Sequence, residues 1–365
     1  MRHLSLSLAA ALLLGAATAS AADVYGLEKG TPDLKSADVL AFGPGGILFV
    51  GDTQSAAVFA IQTGDKSGTP ADAKFNIDGL NVKIAEKLGG SSQDLAISDL
   101  AVNPATGNVF VAVKNGGNPA LVKIDGAGDI SQFSLENVPF SVASLPDAPA
   151  PGEIEVGGRK RNLRADVITD IAFVDGQLLV TGTSSGESAA AVRSFAFPFS
   201  EVEQAAALEI FHAAHGRSEN YAVPRTFVPF NIGGEPNLLA GFVCTPLVRF
   251  PVADVQPGNE IKGKTVAELG NRNRPLDMIV YEQDGKNYLL LINSARGTMK
   301  ISTEKIEANA GITEPVGGGG TAGQSYETID ALAGAQQLDK LSDTHAVVLV
   351  QTDSGAMDLR TVELP

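Results

Sequence analysis

The chain has 365 residues, a formal net charge of −15 and 44 % apolar residues. An acidic balance of this size disfavours nucleic acid and anionic membrane surfaces, because both would repel it. Its only cysteine, Cys244, excludes an intramolecular disulfide, and the lack of tryptophan weakens any case for a sugar-stacking platform.

In chain order, residues 1–21, "MRHLSLSLAAALLLGAATASA", carry a basic start at Arg2, an apolar run and an Ala19-Ser20-Ala21 cleavage pattern. Together these spell an export signal. The expectation is a periplasmic or extracellular protein with one folded domain over 22–365. The apolar run falls short of the roughly 20 residues a bilayer needs and no later stretch supplies them, so a monomer without membrane insertion is expected.

From residue 37 onward one pattern recurs: Asp, a short apolar strand, a Gly-containing turn, a second apolar strand, a small polar loop and a third strand. It is clear in "ADVLAFGPGGILFVGDTQSAAVFAI", "SDLAVNPATGNVFVAVKNGGNPALVKI", "TDIAFVDGQLLVTGTSSGESAAAVRSFAF" and "LDMIVYEQDGKNYLLLINSARGTMKI". Weaker copies are "RTFVPFNIGGEPNLLAGFVCTPLVRFPV" and "AQQLDKLSDTHAVVLVQTDSGAMDLRTVEL". The copies open at Asp38, Asp99, Asp170, Thr226, Asp277 and about Gln336. A β unit recurring every ~50 residues or somewhat more, with almost no helical periodicity, indicates a propeller of four-stranded blades. The fold class is therefore all-β, a single propeller of six blades, with seven as the alternative if the long connection 139–165 hides another strand pair. Candidate outer strands follow the third strand of five copies: "AKFNIDGL", "ISQFSLEN", "ALEIFHAA", "KTVAEL" and "KIEANAG". The sixth copy runs out at Pro365, and "DVYGLEKG" (23–30) is the expected strand that closes the ring by joining the two ends.

The runs "TDIAFVDGQLLVTG" and "SDLAVNPATGNVFVAV" resemble the repeats of NHL-type propellers, within a wider six-bladed set that includes gluconolactonase-like (SMP-30-type) and TolB-like propellers. The resemblance extends over the mature chain at the level of blade pattern and implies fold far more than activity. A gluconolactonase-like enzyme would hold a divalent metal through a Glu opening the first blade and through Asn and Asp residues on later inner strands. Here the first blade reads Ala37-Asp38-Val39, and the fifth reads Pro275-Leu276-Asp277 where Pro-Asn-Gly would be wanted.

Propeller sites gather on the rim shared by the crossovers between blades and the loops between second and third strands. The column Asp38, Asp99, Asp170 and Asp277 could ring a channel mouth and hold a hard divalent cation such as calcium. The stronger expectation is structural, with each Asp accepting backbone N–H bonds where its strand begins. His215, Arg217, Arg272 and Arg274 lie on crossovers, and Cys244, Asn293 and Arg296 on rim loops, which makes these the candidate binding residues. His212 and His215 have an i, i+3 spacing. His212 aligns with an outer strand and reads as surface structure, whereas His215 opens a crossover and could face the presumed site. Ser184 in "GTSSG" and the run "VGGGGTAG" carry no supporting context.

Three functions follow. The leading one is a non-catalytic binding or scaffold protein whose rim takes a protein or a small anionic ligand, with the four arginines as the recognising charge. The alternative is a metal-dependent hydrolase or lactonase with a variant ligand set that includes Asn115 and Asn293. The third is a redox or metal-handling accessory built on His215 and Cys244.

Overall fold

A computed structural model describes residues 25–156 and 159–365; the expected export signal lies outside them. Among the described residues, six sheets form six blades, and no helix is long and apolar enough to cross a membrane.

The inner three strands of each blade are the apolar runs identified above. Val39–Phe42, Ile47–Asp52 and Ala57–Gln62 begin the first blade, and Leu95–Val102, Val109–Asn115 and Asn118–Ile124 the second. Asp170–Val174, Gln177–Thr183 and Ala190–Ala196 begin the third, and Pro224–Ile232, Glu235–Phe242 and Pro246–Pro251 the fourth. The fifth has Pro275–Gln283, Lys286–Asn293 and Gly297–Ser302, and the sixth Ala335–Lys340, His345–Gln351 and Met357–Glu363. Middle strands such as Ile47–Asp52 are buried along their whole length. They face a neighbouring blade on both sides, so they read as continuous apolar runs rather than alternating ones.

The outer strands are less regular. Ile130–Phe133, Ala206–His212 and Lys264–Leu269 complete the second, third and fourth blades as expected. The first blade is completed instead by Val138–Ser144, with Glu28–Gly30 added outside it. The fifth takes Tyr326–Thr328 rather than residues near 305–311. An early strand does close the last blade, but it is Asn76–Ile77, paired with the C-terminal strand, and not 23–30.

These exchanges reorder the ring. Six apolar cores each join two blades, and they pair the first with the second, the second with the sixth, the sixth with the fifth, the fifth with the fourth, the fourth with the third and the third with the first. The second blade thus stands between the first and the sixth. After the third strand of the first blade the chain supplies Asn76–Ile77 to the sixth blade and a short helix, Leu80–Lys87, whose Leu80, Ile84 and Ala85 are buried in the adjoining core. It then builds the second blade and returns through Val138–Ser144 to finish the first. The connection 139–165 also carries a small hairpin, Ile154–Val156 with Arg159–Arg161, and no seventh blade.

Candidate functional site

Polar groups converge in the channel at the axis and in a side-chain cluster where the third and fourth blades meet. At the axis, Asp99 accepts the N–H of its own successor Leu100 (2.8 Å) and that of Leu40 on the next blade (2.7 Å). Asp170 does the same with Ile171 and Phe227, and Asp277 with Met278 and Leu338. Asp339, which the sequence pattern did not single out, staples Lys340 and Val102. Each carboxylate ties its inner strand to the neighbouring blade, which is the structural job expected of the column, extended across the blade boundary. Asp38 differs, accepting from Ser36 Oγ (2.5 Å), Thr53 Oγ1 (2.5 Å) and Thr53 N (3.1 Å) within its own blade.

The channel encloses about 770 Å³. Burial pushes the Asp99 and Asp277 carboxyls well above the usual range, and nearby acids add to it: Asp170 and Asp339 for Asp99, Asp99 and Asp170 for Asp277. Burial also lifts Asp170 and Asp339 to about 6.

The second cluster is built from a hairpin and a turn. Ala206–His212 runs up to the rim, the chain turns with the His215 and Gly216 N–H groups on the His212 carbonyl, and Arg217–Glu219 returns beside it. That return places the Glu219 carboxylate between two imidazoles, 2.8 Å from His212 Nδ1 and 2.8 Å from His215 Nδ1. Arg217 Nε (3.2 Å) and the Tyr221 hydroxyl (2.9 Å) bond the same carboxylate. Burial alone would raise Glu219; the hydrogen bonds from His212 and His215, with the charge on His212 and the Tyr221 bond, overcome it and hold the carboxyl at about 2. An ionised Glu219 accepts only, so each Nδ1 donates to it, and Nε2 is the ring atom left on each imidazole to bond anything else. The two rings lie 3.7 Å apart, tilted by 35°.

Across the groove, Cys244 sits in the turn between the second and third strands of the fourth blade. The Thr245 N–H closes that turn on the Phe242 carbonyl, and Cys244 N–H donates to the Asn273 carbonyl. Cys244 has φ +65° and Thr245 φ +39°, a backbone region where glycine or asparagine is the ordinary choice. A cysteine there is held at a cost of order 1–3 kcal/mol, as found at sites where strain accompanies function. One ring nitrogen from each of His212 and His215 and the Cys244 sulfur all lie within 4.8 Å of one another. His212 is 2 % exposed, and its Nε2 is buried with no hydrogen-bond partner. An ion bonded at ~2.0–2.3 Å would draw such donors to separations of about 3.3–3.7 Å. Most of that contraction can come from the exposed His215 ring.

Comparison with known proteins assigns no function. No protein-family model and no curated protein matches the sequence. Among solved structures, the GH43 endo-arabinanase from Bacillus licheniformis is similar over 92 % of this chain and 96 % of its own, at 11 % identity and a TM-score of 0.33. A streptogramin B lyase is similar over 93 % and 97 % respectively, at 10 % identity and a TM-score of 0.37.

The structure thus brings His215 and Cys244 together and adds His212, which ends its outer strand as expected but is buried rather than superficial. It also adds Glu219, which the sequence reading passed over; a carboxylate four residues after His215 on a hairpin is the signal that could have found it. The candidate arginines have different surroundings. Arg217 serves Glu219. Arg274 lines the channel with Arg225, itself paired to Asp166 at 2.6 Å, and Arg272 is exposed on the crossover. Arg296 lies against Gly270, where any Cβ would meet its guanidinium. Asn293 is buried and caps its turn through the N–H groups of Ala295 and Arg296.

Proposed function

We propose that this propeller is a metal-binding protein whose ion sits in the groove between the third and fourth blades, on His212, His215 and Cys244. The observation that carries the reading is the buried, unpartnered Nε2 of His212 beside a thiol and a second imidazole. A lone pair left without a partner in a buried place is costly, and bonding to a metal ion removes that cost. Glu219 supports the reading as a carboxylate that fixes the tautomer and orientation of both imidazoles, the outer-shell arrangement usual for metal-bound histidine. Thiolate and imidazole favour a transition metal over a hard cation such as calcium. On the axis, by contrast, a calcium ion would compete with the N–H groups that already bond the Asp oxygens.

This keeps the sense of a rim that binds rather than catalyses, with the metal ion as ligand in place of an anion met by four arginines. The test is elemental analysis of the protein after loading with transition-metal ions and desalting. About one equivalent should remain bound, and His212→Ala and Cys244→Ser should each lose it while keeping their fold by circular dichroism. Less than a tenth of an equivalent on the unaltered chain would sink the proposal.

A further inference from the structure

The geometry points to a second site, at the crossover end of the axial channel, that binds a small monocarboxylate with its carboxylate on Arg225 and Arg274 and its apolar body in the channel. It shares no residue with the metal cluster. The two arginines stand where the column of acids is interrupted. Asp170 and Asp277 open the inner strands of the third and fifth blades, but the fourth carries Thr226 in their place. Arg225 immediately precedes that threonine, and Arg274 immediately precedes the inner strand of the fifth blade.

Their charge is only half met. Asp166 takes the end of the Arg225 guanidinium, at 2.6 Å from Nη1 and 3.3 Å from Nη2. Arg225 Nε is buried without a partner, and an N–H left so carries its desolvation cost until an acceptor arrives. Arg274 engages Ser294 through its backbone, whose N–H donates to Ser294 Oγ and whose carbonyl accepts the Ser294 N–H. Among the described residues its guanidinium forms no ion pair. Burial and the nearby Arg225 charge both push the Arg274 pKa down, with Asp166 opposing them. Two cations thus share one carboxylate, and one added carboxylate would balance the remaining charge. The planar fork of arginine matches carboxylate oxygens two at a time.

The space behind the cations selects the rest of the ligand. The channel's volume of about 770 Å³ suits a small molecule, and Ile168, Ile171 and Leu276 line it together with both arginines. The Asp99, Asp170 and Asp277 carboxyls face the same space, each already accepting two backbone N–H groups. A second anionic group on the ligand would meet acids there instead of donors, which separates a monocarboxylate from a dicarboxylate.

The experiment titrates the full chain near neutral pH by isothermal calorimetry with octanoate, phenylacetate, acetate, suberate and inorganic phosphate. Octanoate or phenylacetate should bind with one site per chain, and more tightly than acetate, suberate or phosphate. Arg274→Gln, which breaks no ion pair of the fold, should weaken that binding by roughly tenfold or more. Arg225→Lys, which keeps a positive charge beside Asp166 but removes the fork, should weaken it as well. Arg272→Gln, which removes an exposed arginine from the same crossover, should bind like the unaltered chain. Equal loss in Arg272→Gln would mark diffuse surface charge and overturn the inference. Binding that survives Arg274→Gln unchanged would place the carboxylate elsewhere, the metal cluster included, and overturn it too. So would tighter binding of phosphate or suberate, or no binding of any carboxylate at millimolar concentration; either result would leave the metal-centre reading standing.

Discussion

Cys244 and His212 each carry a local cost that packing does not explain. Cys244 holds a left-handed backbone at a turn position where glycine would be free of strain, and His212 buries a ring nitrogen without a partner. If the turn exists to present a thiol, Cys244→Gly should raise stability by about 1 kcal/mol in denaturant titrations and abolish metal retention. A loss of stability would show that the side chain is there for packing. These residues also mark the limit of reading a site from sequence. His212 and His215 were visible as a spaced pair and Cys244 as a lone thiol on the fourth blade. Their convergence was not visible, because it depends on the hairpin that Arg217–Glu219 adds to the third blade. The repeated Asp was legible as a strand-opening residue, yet Asp339 was hidden because its strand carries Gln337 where four of the other five carry Asp. With its amide nitrogen turned toward them, Gln337 bonds Asp99 and Asp277.

At the scale of elements, the strands that form the blade interiors were legible because their apolar runs are long and bounded by turns. Outer strands were legible where they follow the third strand directly, as Lys264–Leu269 nearly does. They failed where the chain leaves its own blade, since a two-residue strand such as Asn76–Ile77 carries no periodicity and its partner lies almost the whole chain away. That strand is held by side chains as well as by pairing. The Phe75 N–H donates to Thr361 Oγ1 (2.8 Å), and Ile77 is 7 % exposed in the core between the second and sixth blades. Ile77→Ala should therefore cost about 2–5 kcal/mol in the unfolding free energy. A change below 0.5 kcal/mol would mean that closure does not depend on this strand.

For the whole molecule, the ring of acids makes stability depend on pH. Asp170 and Asp339 titrate at about 6 in the folded chain against 3.8 for the free group, and Asp99 and Asp277 are displaced in the same direction. Between those values the folded state binds more protons than the unfolded one. The contribution is present below about pH 4 and lost as pH rises through 6, at roughly 1.4 kcal/mol per unit of displacement for each group. Glu219 acts oppositely: its depressed value adds stability above pH 4.5 that is lost as pH falls toward 2. The midpoint of thermal unfolding should therefore be highest at or just below about pH 4 and fall toward pH 8. A midpoint that climbs from pH 5 to 8 would contradict the ionisation assigned to the axis.

The proposed ion sits on His212, His215 and Cys244, away from the axis. Crystals loaded with a transition-metal ion and measured at its absorption edge test it most directly. A single anomalous peak is expected within bonding distance of His212 Nε2, His215 Nε2 and Cys244 Sγ, with Glu219 still on both Nδ1 atoms. A peak among Asp99, Asp170 and Asp277, or no peak in the groove, would contradict it.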